Sequence, residues 1–276
     1  MGKAVQQENL YEIATDEPAR PVKQAAVTYL EALFTYSYGA GSPAATRERM
    51  AAARLPTAPA RTATPLLSAD ADGAIQVEYP QLGGLTKDRA SIMAVARLAQ
   101  TRNGTVTTRT RTLDIRLAKR GSAWRVTEIA SLGGKRPGTS QAGPLGRKVL
   151  ASKRIVLPDS ARWDIEAGRI DDRTLGVMLR LSRKHEISVT VLSTGHPFKV
   201  FDSPSVSNHT RGRAVDIWAI DGKRVAAKDV RVRAVMETAL QYGSDEVGGP
   251  WAFSTRYGGS FTNTVHDDHV HIGFKR

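Results

Sequence analysis

The order of apolar and polar positions divides the chain near Gly73. From Ala26 to Phe34, apolar residues recur at i, i+3, i+4, i+7 and i+8, which predicts an amphipathic helix that opens at Pro21. Beyond Gly73 the period changes to two, and Asn103-Gly104 has the composition of a tight hairpin turn. Strands are predicted over 75–79, 89–99 and 105–118, and from 124 onward. Helices followed by antiparallel strands predict an α+β unit.

Strands and helices are mixed in the remainder of the chain. Asp171-Asp172 and Asp229 have the composition of helix N-termini, and Gly243 is expected to stop the second of these helices. Strands are predicted over 149–157, 187–192, 214–218 and 265–274. This mixed order predicts a second α+β unit.

A segment rich in glycine and proline lies between these two sets of elements. Residues 132–147 contain five Gly and two Pro, together with Ser and Thr, which is the composition of a linker. We therefore predict an N-terminal unit over 19–131, a linker over 132–147 and a C-terminal unit over 148–276.

The chain is strongly basic, with a formal net charge of +13 that is spread over both halves. Such a charge favours an anionic partner, namely a cell-wall polymer, a membrane surface or nucleic acid, although an arginine-rich proteome would give the same composition. Cysteine is absent, which excludes disulfides and thiolate metal sites. No apolar run is long enough to span a bilayer, and no secretory signal is visible in Met1–Arg20.

Four residues of the C-terminal unit have the chemistry of zinc ligands. His209 and Asp216 are seven residues apart, and His269 and His271 occupy alternate positions of a short apolar run. Neutral imidazoles and one carboxylate are a ligand set that zinc takes in catalytic sites, where a fourth position stays open. If 214–218 and the run around His271 are adjacent strands, alternation directs Asp216 and both histidines away from the buried face. The sequence therefore predicts a zinc site.

The two stretches that carry these residues resemble a known group of zinc proteins. Ser207 to Asp216 has the form Ser-x-His-x-x-Gly-x-Ala-x-Asp, and His266 to His271 has the form His-x-x-His-x-His. These patterns resemble those of the D-alanyl-D-alanine carboxypeptidases, penicillin-insensitive murein endopeptidases, lysostaphin-type endopeptidases and the hedgehog signalling domain. The resemblance implies that His209, Asp216 and His271 bind zinc, and that the C-terminal unit has the α+β fold of this group. It also implies that His269 is the catalytic base, or stabilises the intermediate, and that His266 is a helper.

One position departs from the carboxypeptidase pattern. After the strand over 187–192, carboxypeptidase relatives carry a Ser-Gly-Tyr-Arg-type turn whose arginine holds the substrate carboxylate. Here the corresponding run is Thr-Gly-His-Pro over 194–197, so the arginine is missing and His196 has an open role in this turn. Arg211 or Arg213 could replace it, but an arginine in an exposed loop is more often simply solvated.

Three polar residues close to the motifs have open roles. Ser207 is expected to hydrogen-bond the ligand loop. One of Asp267 and Asp268 can orient an imidazole through its second nitrogen, and at least one of them is expected only to solvate the loop.

The N-terminal unit resembles the nuclear transport factor 2 superfamily in its element order. In that superfamily a curved antiparallel sheet wraps a long N-terminal helix into a cone, and such domains often dimerise or position a neighbour. None of the six histidines lies in this unit, and it contains no recognised catalytic constellation. We therefore expect an accessory role, with dimerisation through this unit as one possibility.

The function implied by the resemblance is zinc-dependent hydrolysis of a peptide bond in bacterial peptidoglycan, of the endopeptidase or D,D-carboxypeptidase type. Zinc would lower the pKa of water and polarise the scissile carbonyl. The alternative is a zinc-containing wall-binding module with weak or no activity, as the hedgehog domain illustrates. A specific nucleic-acid function is disfavoured, because aromatic residues are only 6% and do not interleave with basic ones. Peptidoglycan implies a location outside the cytoplasm, and the lack of a visible signal conflicts with that location.

Overall fold

The protein is an α+β molecule in which each half of the chain forms its own β-sheet. The computed structural model describes residues 10–227 and 229–275. Residues 1–9 lie outside the described range. They include part of the polar N-terminus in which no secretory signal is visible. The α-helices are α1 Arg20–Phe34, α2 Pro43–Ala52, α3 Pro144–Ala151, α4 Asp159–Glu166, α5 Asp172–Leu181 and α6 Val230–Tyr242. Short 3-10 helices span Pro59–Leu66, His209–Arg211 and Thr264–His266.

The first sheet is an antiparallel meander of four strands in the order β1-β2-β3-β4. Its strands are β1 Asp72–Leu85, β2 Arg89–Arg102, β3 Thr105–Arg120 and β4 Ala123–Ser131. The predicted hairpin turn is confirmed, since Asn103 and Gly104 join β2 to β3 with φ values of 48° and 77°. Positive φ at both central residues matches the twist of the flanking strands.

Both faces of this sheet are covered, each by a different part of the chain. The predicted stripe of α1, from Ala26 to Phe34, is buried against apolar side chains of one face. The opposite face carries polar side chains that are also buried, namely Gln81, Ser91, Thr112 and Asp114. Hydrogen bonds join this polar face to the C-terminal half; Thr112 Oγ1, for example, donates to Thr190 O at 2.6 Å. The first sheet is therefore a layer between α1 and the C-terminal half.

The second sheet has eight strands in the order β10-β11-β9-β12-β7-β6-β5, with β8 paired to β7. Its strands are β5 Ile155–Val156, β6 Ile187–Val191, β7 Ala214–Ile220, β8 Lys223–Arg224, β9 Glu246–Gly248, β10 Ser254–Thr255, β11 Gly258–Phe261 and β12 Val270–Gly273. Strands β7 and β12, which carry predicted ligands, are antiparallel neighbours near the middle.

The helix signals of the C-terminal half are confirmed. The side chains of Asp171 and Asp229 cap α5 and α6 by accepting the N–H two residues further on. Gly243 ends α6 with φ 102°, a conformation that favours glycine. In the ranges that the structure describes, no helix is both long enough and apolar enough to cross a bilayer.

The strand predicted over 149–157 is wrong in its first part, and α3 begins inside the predicted linker. The last four residues of the linker predicted over 132–147, and the start of the strand predicted over 149–157, belong to α3. Pro144 opens α3 because its fixed φ suits the first helical turn, where no N–H is needed. Gly146 and Val149 then bury one face at helical spacing, and only Ile155–Val156 remains as strand.

The strand predicted over 265–274 is also shorter than expected. Asn263 accepts hydrogen bonds from the N–H groups of Val265 and His266, and so caps a 3-10 turn before the strand. β12 begins only at Val270. His269 therefore precedes β12 and does not share a strand face with His271.

Candidate metal centre

Asp216 and His271 face each other directly across two antiparallel strands. Asp216 lies on β7, His271 lies on β12, and the two residues are register partners. Directly opposed residues in such a pair have Cβ atoms roughly 4.5–5.5 Å apart. Asp216 Oδ1 and His271 Nδ1 accordingly lie 2.9 Å apart. The pairing brings a carboxylate and an imidazole together in the interior, where Asp216 is 1% exposed.

His209 reaches the same point from the loop that precedes β7. It lies in a short 3-10 helix that Gly212 ends with φ 69°. A Cβ at Gly212 would lie 2.0 Å from Arg169 O, so glycine is needed for the close approach of this loop. His209 Nε2 lies 3.1 Å from Asp216 Oδ1 and 3.2 Å from His271 Nδ1.

The three donor atoms fit a zinc ion. Zinc binds N and O ligands at about 2.0–2.1 Å, so tetrahedral angles would separate two ligand atoms by roughly 3.3–3.4 Å. The separations among His209 Nε2, Asp216 Oδ1 and His271 Nδ1 are 2.9–3.2 Å. His209 Nδ1 donates to Leu192 O at 2.9 Å, which leaves the lone pair on Nε2, the nitrogen that faces the other donors. The predicted ligands therefore have the donor chemistry and the spacing of a three-ligand zinc site.

His271 carries a proton at neutral pH in this arrangement. Burial opposes its charge, but the hydrogen bond to Asp216 and the nearby carboxylate of Glu246 outweigh burial and raise the pKa of His271 to about 9. The charged His271 in turn lowers the pKa of Glu246 to about 2. Burial acts to raise the pKa of Asp216, but electrostatic interactions with His209 and His269 and the hydrogen bond from His271 hold it well below its usual value. A metal ion at this site would have to displace the proton of His271.

His196 supplies a further imidazole, stacked on His209. Their ring centroids are 4.1 Å apart and their planes differ by 14°. Donor atoms of His196, His209 and Asp216 lie within 4.8 Å of one another, so these residues form a second possible ligand set. The lone pair of an imidazole lies in its ring plane, and the lone pairs of two nearly parallel rings do not converge on one ion. We therefore favour His271 as the third ligand. Burial and the charge of His209 hold the pKa of His196 well below its usual value, so its ring is neutral.

His269 lies beside the cluster with one of its nitrogens occupied. Nδ1 and Asp268 Oδ1 are 2.8 Å apart, and both residues are buried. Burial acts to raise the pKa of Asp268, but the charge of Lys23 and the hydrogen bond from His269 lower it, so the carboxylate is ionised and can only accept. The proton of neutral His269 is therefore on Nδ1 and the lone pair on Nε2, which lies 3.8 Å from Asp216 Oδ2. This basic nitrogen is close to the predicted ligands, as a proton acceptor must be.

His266 and Ser207 both lie next to the cluster. The ring of His266 is centred 5.1 Å from that of His269 and 5.8 Å from that of His271. Burial is the main reason that the pKa of His266 falls to about 3, so this ring is neutral as well. Ser207 Oγ accepts the N–H of His209 at 3.2 Å and thereby fixes the ligand loop, as expected.

Three charged residues considered as helpers are directed at other partners. The side chain of Arg211 is exposed to solvent. The guanidinium of Arg213 lies 3.9 Å from Asp171 Oδ2. Asp267 accepts a hydrogen bond from Thr262 in the loop before β12.

Two polar neighbours of the site were missed by sequence reasoning. Gln81 on β1 is fully buried, and its Nε2 donates to Asp216 Oδ2 at 2.6 Å. Glu246 on β9 has Oε2 3.8 Å from His271 Nε2. Neither residue belongs to a sequence motif. Strand pairing brings Glu246 to the site, and the packing of the two halves brings Gln81 there. The sequence carries no signal for Gln81, because a polar residue in an alternating strand is expected to face water.

No protein-family model, no curated protein and no solved structure matches this chain. The interpretation of the site therefore rests on its donor atoms, on their spacing and on the resemblance of its two motifs to the zinc peptidase group.

Proposed function

We propose that this protein hydrolyses a peptide bond of bacterial peptidoglycan in a zinc-dependent reaction. The observation that carries the proposal is the convergence of His209 Nε2, Asp216 Oδ1 and His271 Nδ1, all within 3.2 Å of one another. Next to them lies a buried imidazole with a free lone pair, that of His269. Three zinc ligands with an open position, beside a group that accepts a proton, are what metal-assisted hydrolysis requires.

Within this proposal, His209, Asp216 and His271 would hold the zinc ion. The bound ion would supply Lewis acidity toward the scissile carbonyl and toward water. His269 accepts at Nε2 a proton from the water molecule that attacks the scissile carbonyl. It then gives a proton to the leaving amine. Asp268 holds Nδ1–H of the same ring, so it keeps the imidazole oriented and stabilises its protonated form.

The substrate class comes from the resemblance of the two motifs to peptidoglycan peptidases. A net charge of +13 suits an anionic wall polymer. The turn over 194–197 lacks the arginine with which carboxypeptidases bind a terminal carboxylate, its His196 is neutral, and Arg211 is exposed. We therefore favour an internal peptide bond, as in a cross-link, over a C-terminal one. A location outside the cytoplasm belongs to the proposal, because peptidoglycan lies there.

The missing arginine also supports a second candidate function. A zinc-containing module that binds the wall without cutting it would need the same fold and ligands, but no groups that hold a substrate for reaction. The two candidates differ in one observable, which is the release of soluble fragments from the wall.

For residues 19–131 we propose an accessory unit like those of the nuclear transport factor 2 superfamily. The packing of α1 on one face of a four-stranded antiparallel sheet supports this resemblance. The opposite face of the sheet is buried against the C-terminal half, which favours positioning of that half over a detached role.

Incubation of the zinc-loaded chain with purified peptidoglycan tests the proposed reaction. We expect soluble peptide-containing fragments, which should disappear when a chelator is added and return when zinc is restored. Wall binding without fragments would support the second candidate. Neither binding nor fragments, from a zinc-loaded chain, would contradict both.

A further inference from the structure

The polar face of the first sheet reaches into the metal centre. Tyr79 and Gln81 are alternate residues of β1, as Asp216 and Trp218 are of β7. Tyr79 stacks on Trp218 with ring centroids 5.0 Å apart and planes 11° apart. Gln81 Nε2 donates to Asp216 Oδ2 at 2.6 Å. Strands β1 and β7, which belong to different sheets, therefore contact each other through two neighbouring pairs of side chains. One of these pairs includes Asp216, a predicted zinc ligand.

The side-chain amide of Gln81 is completely buried. The side chain is 0% exposed, and among the described residues Oε1 has no hydrogen-bond partner. Nε2 must be the atom that faces Asp216, because an ionised carboxylate only accepts. A buried amide oxygen without a partner costs folding free energy. Among the described residues, the hydrogen bond to Asp216 is the contact that satisfies the polar end of Gln81, so this contact accounts for glutamine at this position.

That contact decides which oxygen of Asp216 faces the other ligands. Oδ2 is occupied by Gln81, while Oδ1 lies 2.9 Å from His271 Nδ1 and 3.1 Å from His209 Nε2. Rotation of the carboxylate about its Cβ–Cγ bond would break this hydrogen bond, so the contact favours the observed orientation. Hydrogen bonds of this kind orient metal-binding carboxylates and tune the affinity of the site.

The same part of the N-terminal half fixes Asp268, the residue that orients His269. Leu82 N–H donates to Asp268 Oδ2 at 3.0 Å, and Tyr79 OH donates to Asp268 O at 2.9 Å. Lys23 of α1 lies with Nζ 2.7 Å from Asp268 Oδ2. Strand β1 is at the edge of its sheet, so it has backbone N–H groups to offer to another segment. Contacts from the N-terminal half therefore position two residues of the candidate metal centre, Asp216 and Asp268.

We propose that the first sheet is a built-in part of the metal centre, and that Gln81 is the positioning residue through which it fixes Asp216 as a ligand. This inference rests on the proposed zinc site and gives the N-terminal half a role in metal affinity. It goes beyond the accessory role, because the C-terminal half alone would lack the group that holds Asp216 Oδ2.

Zinc affinity of the full chain, measured by competition with a chromogenic chelator, tests this inference. Gln81→Met removes the donor and keeps the length of the side chain. We expect zinc affinity to fall about 10- to 100-fold, the usual effect of losing a hydrogen bond to a ligand. Thr112→Val is the matched control, because it also removes a buried hydrogen bond between the halves, from Thr112 Oγ1 to Thr190 O. Its zinc affinity should equal that of the wild type, while thermal melting shows whether both variants are folded.

Zinc affinity of Gln81→Met equal to that of the wild type would overturn the inference. An equal loss in Thr112→Val would overturn it too, because loosening of the interface would then explain both. If Gln81→Met does not fold, Gln81→Asn replaces it, since it keeps an amide but withdraws the donor from Asp216. Hydrolysis of peptidoglycan is a separate readout. A wild type that binds zinc but cuts nothing would contradict the proposed function, and the affinity ratio would still decide the role of Gln81.

Discussion

Gln81 and Asp216 are 135 residues apart in the chain, yet Gln81 Nε2 donates to Asp216 Oδ2 at 2.6 Å. The contact joins the two sheets at the residue that pairs with His271 across β7 and β12. Asp216 therefore belongs to two sets of contacts at once, with its fellow ligands through Oδ1 and with the N-terminal half through Oδ2. Changes in either half are therefore expected to alter the candidate metal centre.

Replacement of His269 separates an enzyme from a wall-binding module. His269→Ala should keep zinc, because Nε2 of this residue is not one of the three converging donors. Hydrolysis of peptidoglycan should fall about 10²- to 10⁴-fold, the usual contribution of a general acid–base group. Turnover and zinc content are measured on the same samples. Full activity of this variant would remove His269 from the mechanism.

Zinc binding should release a proton at neutral pH. Burial lowers the pKa of His271, but the hydrogen bond to Asp216 and the nearby carboxylate of Glu246 raise it to about 9, so zinc competes with a proton. Apparent zinc affinity should rise about tenfold per pH unit between roughly pH 7 and 9, and level off above. Calorimetry in buffers with different ionisation enthalpies measures the released proton. An affinity that does not change over this range would contradict the protonated state of His271.

The same raised pKa has a consequence for folding in the absence of zinc. The ordinary pKa of His271 is 6.5 and the folded-state pKa is about 9. The stabilisation due to this proton is therefore fully present below the lower value and is lost as the pH rises through the higher one. Urea unfolding of chelator-treated protein should show that contribution decreasing across this window. His271→Gln, which cannot take up the proton, should remove it.

Lys23 should be important for folding, because it is a buried cation of the N-terminal half that pairs with carboxylates of both halves. Its Nζ lies 2.7 Å from both Glu17 Oε2 and Asp268 Oδ2, and its side chain is 0% exposed. Lys23→Met would leave two buried carboxylates without their cation, at a cost of about 3–5 kcal/mol. The control is Arg97→Met, since the Arg97–Glu78 pair is partly exposed and should contribute only about 0–1 kcal/mol. Unfolding free energies of similar size for the two variants would contradict a structural role for the buried network.

The predicted division of the chain near 132–147 can be tested by limited proteolysis. Residues 135–141 are largely exposed and contain neither helix nor strand, so the first cut is expected there. Hydrogen bonds cross between the halves at Gln81 and Thr112, so the two fragments should stay together in gel filtration and separate in denaturant. Early cuts inside 205–216 or 265–274 would count against the division.

The ligand motif could be predicted from the sequence because its determinants are local. Alternation in a short apolar strand is enough to direct Asp216 and His271 to one side, and strand pairing of β7 with β12 completes the arrangement. Alternation could not predict where β12 begins, because Asn263 caps a 3-10 turn that takes up the preceding residues.

The contribution of the N-terminal half could not be predicted in the same way. A polar residue such as Gln81 in an alternating strand is expected to face water, and only the packing of the halves shows that it faces Asp216. Lys23 is likewise expected on the solvent-facing side of α1, because it is charged, yet it is buried. The strand expected over 149–157 was an error of another kind, since a short apolar run has the same composition in a helix and in a strand.

The central claim is that His209, Asp216 and His271 form a zinc site, and zinc content tests it most directly. Protein purified without added metal, then titrated with zinc, is compared with His209→Ala, His271→Ala and the control His185→Ala. His185 contacts Asp221 at 2.8 Å and is no part of the cluster. We predict that the wild type and His185→Ala bind zinc, and that the two ligand variants lose most of it because two donors are too few for a tight site. A wild type that contains no zinc and takes none up would contradict the account.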